Sequence, residues 1–493
     1  MENTYKNLLE KENIRENLSQ LRKFIKDEEN KNRLRELIVN VEDITQFLEN
    51  EDPKSRKNAA LLLGDLELQE AKDAIYKAYV QEDILFVRSH YLAALNQLDV
   101  QDLVPEFIDI LDEKLHEEVE PDNEKHINSE IAALRKIIIR YQGITRHKFV
   151  VKEDKTKVVL TCNRGVRQIV KQTLGNVRTG LHPLGVLTET ADLQGLLQNR
   201  NYREVLFPLS LKSLLPNEPR EAARMLYEAG IYDFIRKYHE GPEDFYFRVE
   251  LRNHMNLDER SQFNRKFGTE LEKLTKNRLV NSASDYEVEI RLIGTAEGKL
   301  YPSCKFYTLK DTRFNYRKKA LSSSIHPSTA ALIMKITERY LKEGAQILDP
   351  FCGVGTMLIE RNKSVYAREM YGIDTYGQAV EYARENAYCA QERINFINRN
   401  YFDFRHDYLF DEIITDMPVR SPRVTRRDLD FIYGKFFEKS REVLTRNGII
   451  VMYTNEIGLV KKNLRFHHEY RMLQDVPMQD RSDYHVVVLA VVM

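Results

Sequence analysis

The stretch QILDPFCGVGTMLIE, residues 346–360, combines a short apolar strand pattern, a turn with two glycines and an apolar helix pattern. That order predicts the strand–loop–helix unit with which a parallel α/β sheet brings its backbone close to a nucleotide-like ligand. Because glycine has no Cβ, Gly353 and Gly355 would let such a ligand lie directly on the main chain. The stretch therefore predicts both a fold class and a binding loop.

The residues after the loop continue this pattern. Asp374 ends a second apolar run about 20 residues further on, where an acid can accept hydrogen bonds from both ribose hydroxyls of a nucleotide. Further strand patterns follow at residues 394–397, 412–414, 448–454, 470–472 and 484–492. Helical patterns separate most of these runs, and the alternation predicts a doubly wound, mostly parallel α/β sheet.

Two motifs resemble those of a known family. DPFCGVGTMLIE, residues 349–360, is similar to the cofactor loop of the class I S-adenosylmethionine (AdoMet) methyltransferases that act on exocyclic amines of nucleic acids. TDMP, residues 415–418, resembles their catalytic motif, (N/D)PP(Y/F). The resemblance implies a Rossmann-like α/β domain whose sheet ends in an antiparallel hairpin, which the two late strand runs fit. Val354 departs from the family, which usually has a small polar residue there.

The resemblance also implies where AdoMet would be held. The cofactor-binding residues would be Asp349, Phe351, Cys352, Gly353, Gly355, Asp374, Asn400 and Asp403. Asp349 and the loop amides would face the methionine end of AdoMet, and Asp374 its ribose. Asn400 stands where the family usually has an aspartate for the adenine amine. Its amide carbonyl could accept the same hydrogen bond, with Asp403 as the alternative. No metal ion is implied.

The resemblance assigns catalysis to Asp416 and Pro418. An exocyclic amine is a poor nucleophile because its lone pair is delocalised into the ring. A carboxylate that accepts its N–H bonds would orient the amine and stabilise its developing positive charge, and Pro418 would fix the backbone of the turn. The family usually has Tyr or Phe where this chain has Val419, to stack on the target base. Another aromatic residue, such as Phe351 or Tyr401, could take that role.

Residues 146–310 carry a mixed pattern that predicts a central α+β module. Strand patterns lie at residues 157–161, 245–251, 286–292 and 305–309, and helical patterns at 166–174 and 263–274. The run 286–292 alternates strictly between apolar and polar residues, which is typical of a strand with one buried face.

The order of three segments in this module resembles the ferredoxin-like and THUMP part of the THUMP-bearing RNA methyltransferases. The segments are LTCNRGVRQIVKQTL (160–174), FRVELR (247–252) and DYEVEIRLI (285–293). The resemblance implies RNA binding by residues 146–310 and a methyltransferase domain over residues 311–493.

Residues 1–145 predict an α-helical domain. Two segments, 52–63 and 83–95, look alike and place Arg56 and Arg88 about 32 residues apart, a period typical of helical repeats. The pattern resembles HEAT-like repeats, whose helix pairs stack on one another, and a plain helical bundle is the alternative. No constellation in this domain suggests catalysis, so its expected role is to bind a protein partner or to shield a surface.

Composition narrows the class of protein. The chain is 42% hydrophobic and 31% charged, which is typical of a globular protein, and no apolar run is long enough for a membrane helix. Residues 1–17 are charged and lack the apolar core of a signal peptide. The cysteines are scattered, without the spacing of a zinc site, and disulfides are not expected. A cytoplasmic, reducing setting is therefore the expectation.

The net charge of −1 hides an asymmetry. Residues 1–145 hold 20 Lys and Arg against 31 Asp and Glu, which leaves 55 against 45 of the totals of 75 and 76 for the remainder. The first part is thus −11 and the rest +10, and a basic body suits nucleic acid. One segment interleaves basic and aromatic residues: Lys310, Arg313, Arg317, Lys318 and Lys319 with Phe306, Tyr307, Phe314 and Tyr316. It predicts contacts with phosphates and unpaired bases.

These observations favour an AdoMet-dependent RNA methyltransferase that acts on a base amine. By the resemblance, the expected substrate is guanosine N2 in tRNA. One alternative is an RNA-binding scaffold with a catalytically weakened methyltransferase fold, which Val419 and Asn400 support. The others are an rRNA or a DNA amine methyltransferase, and the THUMP-like module argues against DNA.

Overall fold

The computed structural model describes residues 1–117, 119–120, 122–151, 155–422, 424–478 and 484–492. The chain divides into two compact units, Met1–Thr145 and Arg146–Met493. None of the helices in the described ranges has the length and apolar character that crossing a lipid bilayer requires.

The first unit is built from helices, as the sequence predicts. They are α1 (Glu2–Leu9), α2 (Ile14–Phe24), α3 (Glu28–Leu37), α4 (Glu42–Thr45), α5 (Pro53–Asp65), α6 (Lys72–Gln81), α7 (Leu85–Leu95), α8 (Val104–His116) and α9 (Glu124–Gln142). The start of α5 follows from its sequence. The Asp52 side chain accepts hydrogen bonds from the first amides of the helix, and Pro53 stands where no amide partner is needed.

Arg56 and Arg88 hold equivalent positions on α5 and α7. Arg56 Nη2 lies 2.7 Å from Oε1 of the buried Glu82. Arg88 Nε lies 2.8 Å from Oε1 of the buried Glu130. Each guanidinium also donates to a carbonyl oxygen six residues before it, on Asn50 and Glu82 respectively. The two helices therefore share one side-chain arrangement at the predicted period, while the HEAT-like assignment stays a prediction.

The central part of the chain mixes strands and helices. Its strands are β1 (Lys148–Phe149), β2 (Thr156–Thr161), β3 (Thr179–His182), β4 (Gly185–Thr190), β5 (Val205–Pro208), β6 (His239–Glu240), β7 (Phe245–Arg252), β8 (Leu279–Asn281), β9 (Val288–Gly294) and β10 (Leu300–Phe306). Its helices are α10 (Arg167–Gln172), α11 (Leu193–Leu196), α12 (Pro219–Glu228), α13 (Ile231–Arg236) and α14 (Leu257–Leu274). One sheet has the order β3-β4-β2-β5-β10-β9-β7-β8. The THUMP-like assignment stays a prediction.

Two details of this sheet differ from the sequence prediction. The last strand covers Leu300–Phe306 rather than 305–309. Pro302 lies within it, and because proline has no amide hydrogen to donate to a neighbouring strand, the sequence argues against a strand at this position. In β9 the polar side chains are not solvated: Glu289 and Arg291 are buried and ion-paired with each other. Both faces of β9 are therefore covered, although alternation predicts only one.

The C-terminal part confirms the predicted α/β architecture. Its elements are α15 (Pro327–Thr337), β11 (Ala345–Asp349), α16 (Thr356–Ser364), β12 (Ala367–Asp374), α17 (Gly377–Ala390), β13 (Asn395–Asn398), β14 (Phe410–Asp416), α18 (Arg426–Val443), β15 (Leu444–Thr454), α19 (Ile457–Leu464), β16 (Tyr470–Pro477) and β17 (His485–Val491). The sheet order is β13-β12-β11-β14-β15-β17-β16. β17 runs antiparallel to both of its neighbours, which gives the predicted terminal hairpin.

The central part and the C-terminal sheet share one hydrophobic core, and a buried carboxylate joins them. Glu360 on α16 is 1% exposed. Its carboxylate accepts hydrogen bonds from Arg200 Nε at 3.0 Å, Arg200 Nη2 at 2.6 Å and the Tyr316 hydroxyl at 2.7 Å. A helix of the C-terminal sheet is thus fixed to a residue of the central part.

Replacing Glu360 with alanine should lower the free energy of unfolding by about 3 kcal/mol, because Arg200 and Tyr316 would lose a buried charged partner. Urea unfolding followed by circular dichroism would measure the change. Glu438→Ala is the matched control, since its ion pair with Lys435 lies on an exposed helix surface and should contribute less than about 1 kcal/mol. Equal losses in the two variants would contradict the role given to Glu360.

Candidate active site

The predicted binding loop follows β11 and is tied to the next strand of the sheet. The Cys352 amide donates to the Ile373 carbonyl at 2.9 Å, and the Gly355 amide donates to the Cys352 carbonyl at 2.8 Å. Cys352 itself is buried, which raises the pKa of its thiol. The loop is therefore a tight turn at the carboxyl end of β11, the edge of a parallel sheet where ligands bind.

The two glycines of the loop are needed for different reasons. Both have a positive φ, 51° at Gly353 and 80° at Gly355, which L side chains rarely adopt. A Cβ on Gly355 would lie 2.9 Å from the ring of Phe396, so the loop packs tightly there. A Cβ on Gly353 would meet no described atom within 4 Å. Gly353 thus presents bare backbone to open space, as a ligand-facing loop requires.

Asp374 lies where the sequence predicts, at the end of β12. Its Oδ2 accepts a hydrogen bond from the Gly353 amide at 2.9 Å, and its Oδ1 accepts one from the Tyr376 amide at 2.9 Å. The carboxylate is half-exposed, and each oxygen keeps a free lone pair. The strand-end acid therefore fixes the loop and can still accept ribose hydroxyls.

Asp349 is fully buried at the end of β11. Its Oδ1 accepts a hydrogen bond from the Phe351 amide at 3.1 Å, whereas its Oδ2 has no partner among the described residues. Burial, together with the charges of Asp416 and Asp374, raises the pKa of this carboxyl to about 8. The hydroxyl of Thr356 is also buried without a partner in the described chain. Such orphaned polar atoms fit a cofactor that brings its own hydrogen-bonding groups.

Asp416 ends β14, on the other side of β11 from β12. It is half-exposed, and burial raises the pKa of its carboxyl to about 7. No side chain or backbone group in the described chain forms a hydrogen bond with this carboxylate. Pro418 and Val419 follow in the turn and are half-exposed. The predicted catalytic carboxylate is therefore available to a ligand. Its charge is close enough to contribute to the raised pKa of Asp349.

Asn400 and Asp403 lie after β13, the strand next to β12, and both are exposed. The Asn400 side chain already accepts a hydrogen bond from the Phe402 amide at 3.0 Å, which caps the short helical turn that follows. Their roles toward the adenine of AdoMet stay predictions.

The aromatic residues offered in place of Val419 are engaged elsewhere. Tyr401 is 1% exposed, with its hydroxyl 3.2 Å from Ser440 Oγ. The expectation that Tyr401 stacks on a base is therefore wrong, because its ring is enclosed by the core. Phe351 is half-buried, with its ring centroid 6.0 Å from that of Tyr401 and 6.2 Å from that of Phe436. It packs on the α18 side of the sheet.

The structure places two other aromatic residues beside Asp416. Tyr453, at the end of β15, is paired with Asp416 in the strand register. Tyr484, just before β17, stacks on Tyr453 with ring centroids 4.6 Å apart and planes at 16°. Burial and the charge of Asp416 raise the pKa of both hydroxyls. The sequence carried a signal for this pair, because the two tyrosines lie near the end of one predicted strand and at the start of another.

The basic and aromatic segment around residue 313 is not the exposed surface that the sequence suggests. Phe306 is 3% exposed and Tyr316 6%, and both belong to the core. The Arg313 guanidinium is buried against Asp311, with Nη2 2.6 Å from Oδ2, and donates to the Tyr202 carbonyl. The prediction is wrong for these residues, which form the structural joint between the central part and the C-terminal sheet. Lys310, Lys318 and Lys319 are exposed.

Comparisons with known proteins agree with this geometry. Residues 314–479 match the RMKL-like methyltransferase domain. A tRNA (guanine(10)-N2)-dimethyltransferase of Methanothermobacter thermautotrophicus is 28% identical over 155 residues, which are 30% of this chain and 45% of that protein. A ribosomal protein L11 methyltransferase of Thermotoga petrophila is 25% identical over 259 residues, 50% of this chain and 89% of that protein.

Among solved structures, TrmN from Thermus thermophilus is similar to 68% of this chain and 99% of its own, with 19% identity and a TM-score of 0.49. The matched domain, the orphaned polar atoms at the loop and the strand-end acid agree with one another. The C-terminal part of the chain is therefore a methyltransferase domain that uses S-adenosylmethionine.

AdoMet binding at pH 7 should release about one proton from Asp349. Burial keeps this carboxyl protonated in the free protein, whereas the ammonium group of bound AdoMet would favour the carboxylate. Calorimetric titrations in two buffers of different ionisation enthalpy would measure the release. It should vanish in Asp349→Asn, and an unchanged release in that variant would assign the proton to another group.

The same carboxyl should make the AdoMet-free protein less stable as pH rises. Its folded pKa of about 8 lies above the ordinary value of about 4, so the folded state binds more protons than the unfolded state between these values. The free energy of unfolding should therefore fall from about pH 4 to about pH 8. Thermal midpoints measured across this range should fall less steeply in Asp349→Asn than in the native chain. Identical slopes would refute the assignment.

Proposed function

We propose that this chain transfers a methyl group from AdoMet to an exocyclic amine of an RNA base, and that guanosine N2 in tRNA is its substrate. The observation that carries the proposal is the Asp416 carboxylate, which lies at the strand end beside the cofactor loop with no hydrogen-bond partner in the described chain. A carboxylate placed there without a structural partner suits a group that acts on a substrate.

Asp416 would act by accepting an N–H bond of the target amine. This hydrogen bond orients the lone pair and stabilises the positive charge that develops on nitrogen. When bound, AdoMet supplies the electrophilic methyl group. As the bond from nitrogen to the methyl carbon forms, the bond from that carbon to sulfur would break, with S-adenosylhomocysteine as the leaving group. The amine then loses one proton, which a carboxylate with a pKa of about 7 can accept and return to solvent.

The substrate class rests on two observations. Residues 146–493 are the basic part of the chain, as the count of charged residues gives, and a basic surface binds phosphates. One relative of the methyltransferase domain is named for guanine N2 of a tRNA. Another is named for a ribosomal protein, so a protein amine belongs among the substrates to be tested.

The direct test is transfer of labelled methyl groups to tRNA, rRNA, DNA and ribosomal proteins from cells that lack this protein. The nucleic acids are then digested to nucleosides. Label in one tRNA nucleoside would support the proposal and identify the base. Label in rRNA, DNA or protein would move the activity to that class. AdoMet binding without any transfer would favour the RNA-binding scaffold, the reading that Val419 suggests.

Asp416→Asn should lower kcat by about 100-fold or more, because the amide cannot accept the proton, while AdoMet affinity is kept. For the native chain, kcat/KM should rise with pH and level off above about pH 7, as the carboxylate forms. Single-turnover rates from pH 5.5 to 9 would measure both effects. Asp407→Asn is the matched control, since Asp407 is exposed and precedes β14 at its opposite end. Full activity in Asp416→Asn would remove Asp416 from the mechanism.

A further inference from the structure

The tyrosine pair Tyr453–Tyr484 lies on the same face of the sheet as Asp416. Asp416 is opposite Tyr453 in the parallel register of β14 and β15, and the Met417 amide donates to the Tyr453 carbonyl at 2.9 Å. Paired residues of neighbouring strands point to the same face. Tyr453 is in turn opposite Val486 of β17, and Tyr484 precedes Val486 by two residues. The two rings and the carboxylate therefore lie on one face of the sheet.

The two rings are only partly covered by the protein. Both tyrosines are half-exposed and pack against the core that the methyltransferase domain shares with the central part. Neither hydroxyl has a hydrogen-bond partner among the described residues. By contrast, the nearby Tyr433 is fully buried, with its hydroxyl 2.6 Å from Thr454 Oγ1. A half-covered ring whose hydroxyl the described protein does not engage is suited to contact a ligand with both an apolar face and polar edges.

A base whose amine is to be methylated must leave its stack and lose its stacking energy. Stacking of the base on an aromatic side chain of the protein offsets this loss by about 1–3 kcal/mol per base. Val419 offers no such face, Tyr401 is enclosed, and Phe351 packs on the α18 side of the sheet. Next to Asp416, the described aromatic rings with a half-exposed face are those of Tyr453 and Tyr484.

We propose that the Tyr453–Tyr484 pair is the surface on which the target base stacks while its amine lies against Asp416. This inference rests on the proposed function and adds the residues that hold the base. Stacking is tolerant of base identity, so the pair would position the base and leave its selection to polar contacts at its edges.

The central part of the chain contacts the segment next to Tyr484. The Gly165 amide, in the loop after β2, donates to the Met478 carbonyl at 3.2 Å, and the Met478 amide donates to the Tyr484 carbonyl at 2.8 Å. A Cβ on Gly165 would lie 2.6 Å from the Pro477 carbonyl oxygen, so the two segments are in close contact. RNA held by the central part would thus meet the methyltransferase domain beside the tyrosine pair.

Fluorescence offers a test that does not depend on methyl transfer. The chain has no tryptophan, so Tyr484→Trp introduces a single reporter at the pair. Adding unmethylated tRNA and S-adenosylhomocysteine should quench this fluorescence saturably, because a base stacks on the indole. Tyr388→Trp is the matched control, since Tyr388 is 84% exposed on α17, and it should show no saturable quenching. Absence of quenching in Tyr484→Trp, with tRNA bound, would overturn the proposal.

Activity provides the second readout. Tyr453→Ala and Tyr484→Ala should each lower kcat/KM for the RNA by about 10-fold to about 100-fold. Tyr→Phe variants at the same positions should keep most of the activity, because the ring face remains, and AdoMet affinity should be unchanged throughout. Alanine variants with native kcat/KM would refute the proposal.

The two proposals can fail separately. Saturable quenching by tRNA without any methyl transfer would keep the stacking surface and reject the proposed function. Methyl transfer to tRNA with fully active alanine variants would keep the function and reject the stacking surface.

Discussion

The buried carboxylate of Glu360 is the contact on which the arrangement of the second unit depends. It belongs to α16, the helix that begins at the cofactor loop, and it is neutralised by Arg200 of the central part and hydrogen-bonded by Tyr316 of the connecting segment. A carboxylate this deeply buried is tolerated only with such partners. The loop expected to hold the cofactor and the part expected to bind RNA are therefore joined by buried, charged side chains as well as by their shared core.

Much of the methyltransferase domain could be predicted from sequence because short segments of the chain indicate each strand and helix in turn. Each strand run is short, apolar and followed by a helical pattern, and the carboxyl ends of parallel strands meet at one edge. That rule alone brings Asp349, Asp374 and Asp416 together, as the structure shows. α14 begins six residues before the helical pattern predicts, because its Asn256–Glu259 capping box precedes Phe263, where that pattern starts.

The remaining features depend on contacts between residues distant in the chain. Whether a basic or aromatic residue binds RNA or fills the core cannot be decided from its neighbours in sequence. The environment predicted for Arg313 and Tyr316 is therefore wrong, since both are buried. The Tyr453–Tyr484 stack exists only because β17 inserts beside β15. β9 has two buried faces because Glu289 forms an ion pair with Arg248 of β7, the adjacent strand. The alternation of residues in a strand indicates which face is apolar. It does not indicate whether ion pairs bury the polar face as well.

The two equivalent arginines of the first unit depend on carboxylates from later in the chain. Arg56 of α5 is neutralised by Glu82, which comes after the following helix, and Arg88 of α7 by Glu130, which comes from α9. Each of these two arginines is thus neutralised by an acid supplied further along the chain. Removing α9 would therefore leave the Arg88 guanidinium of α7 without the carboxylate that neutralises it.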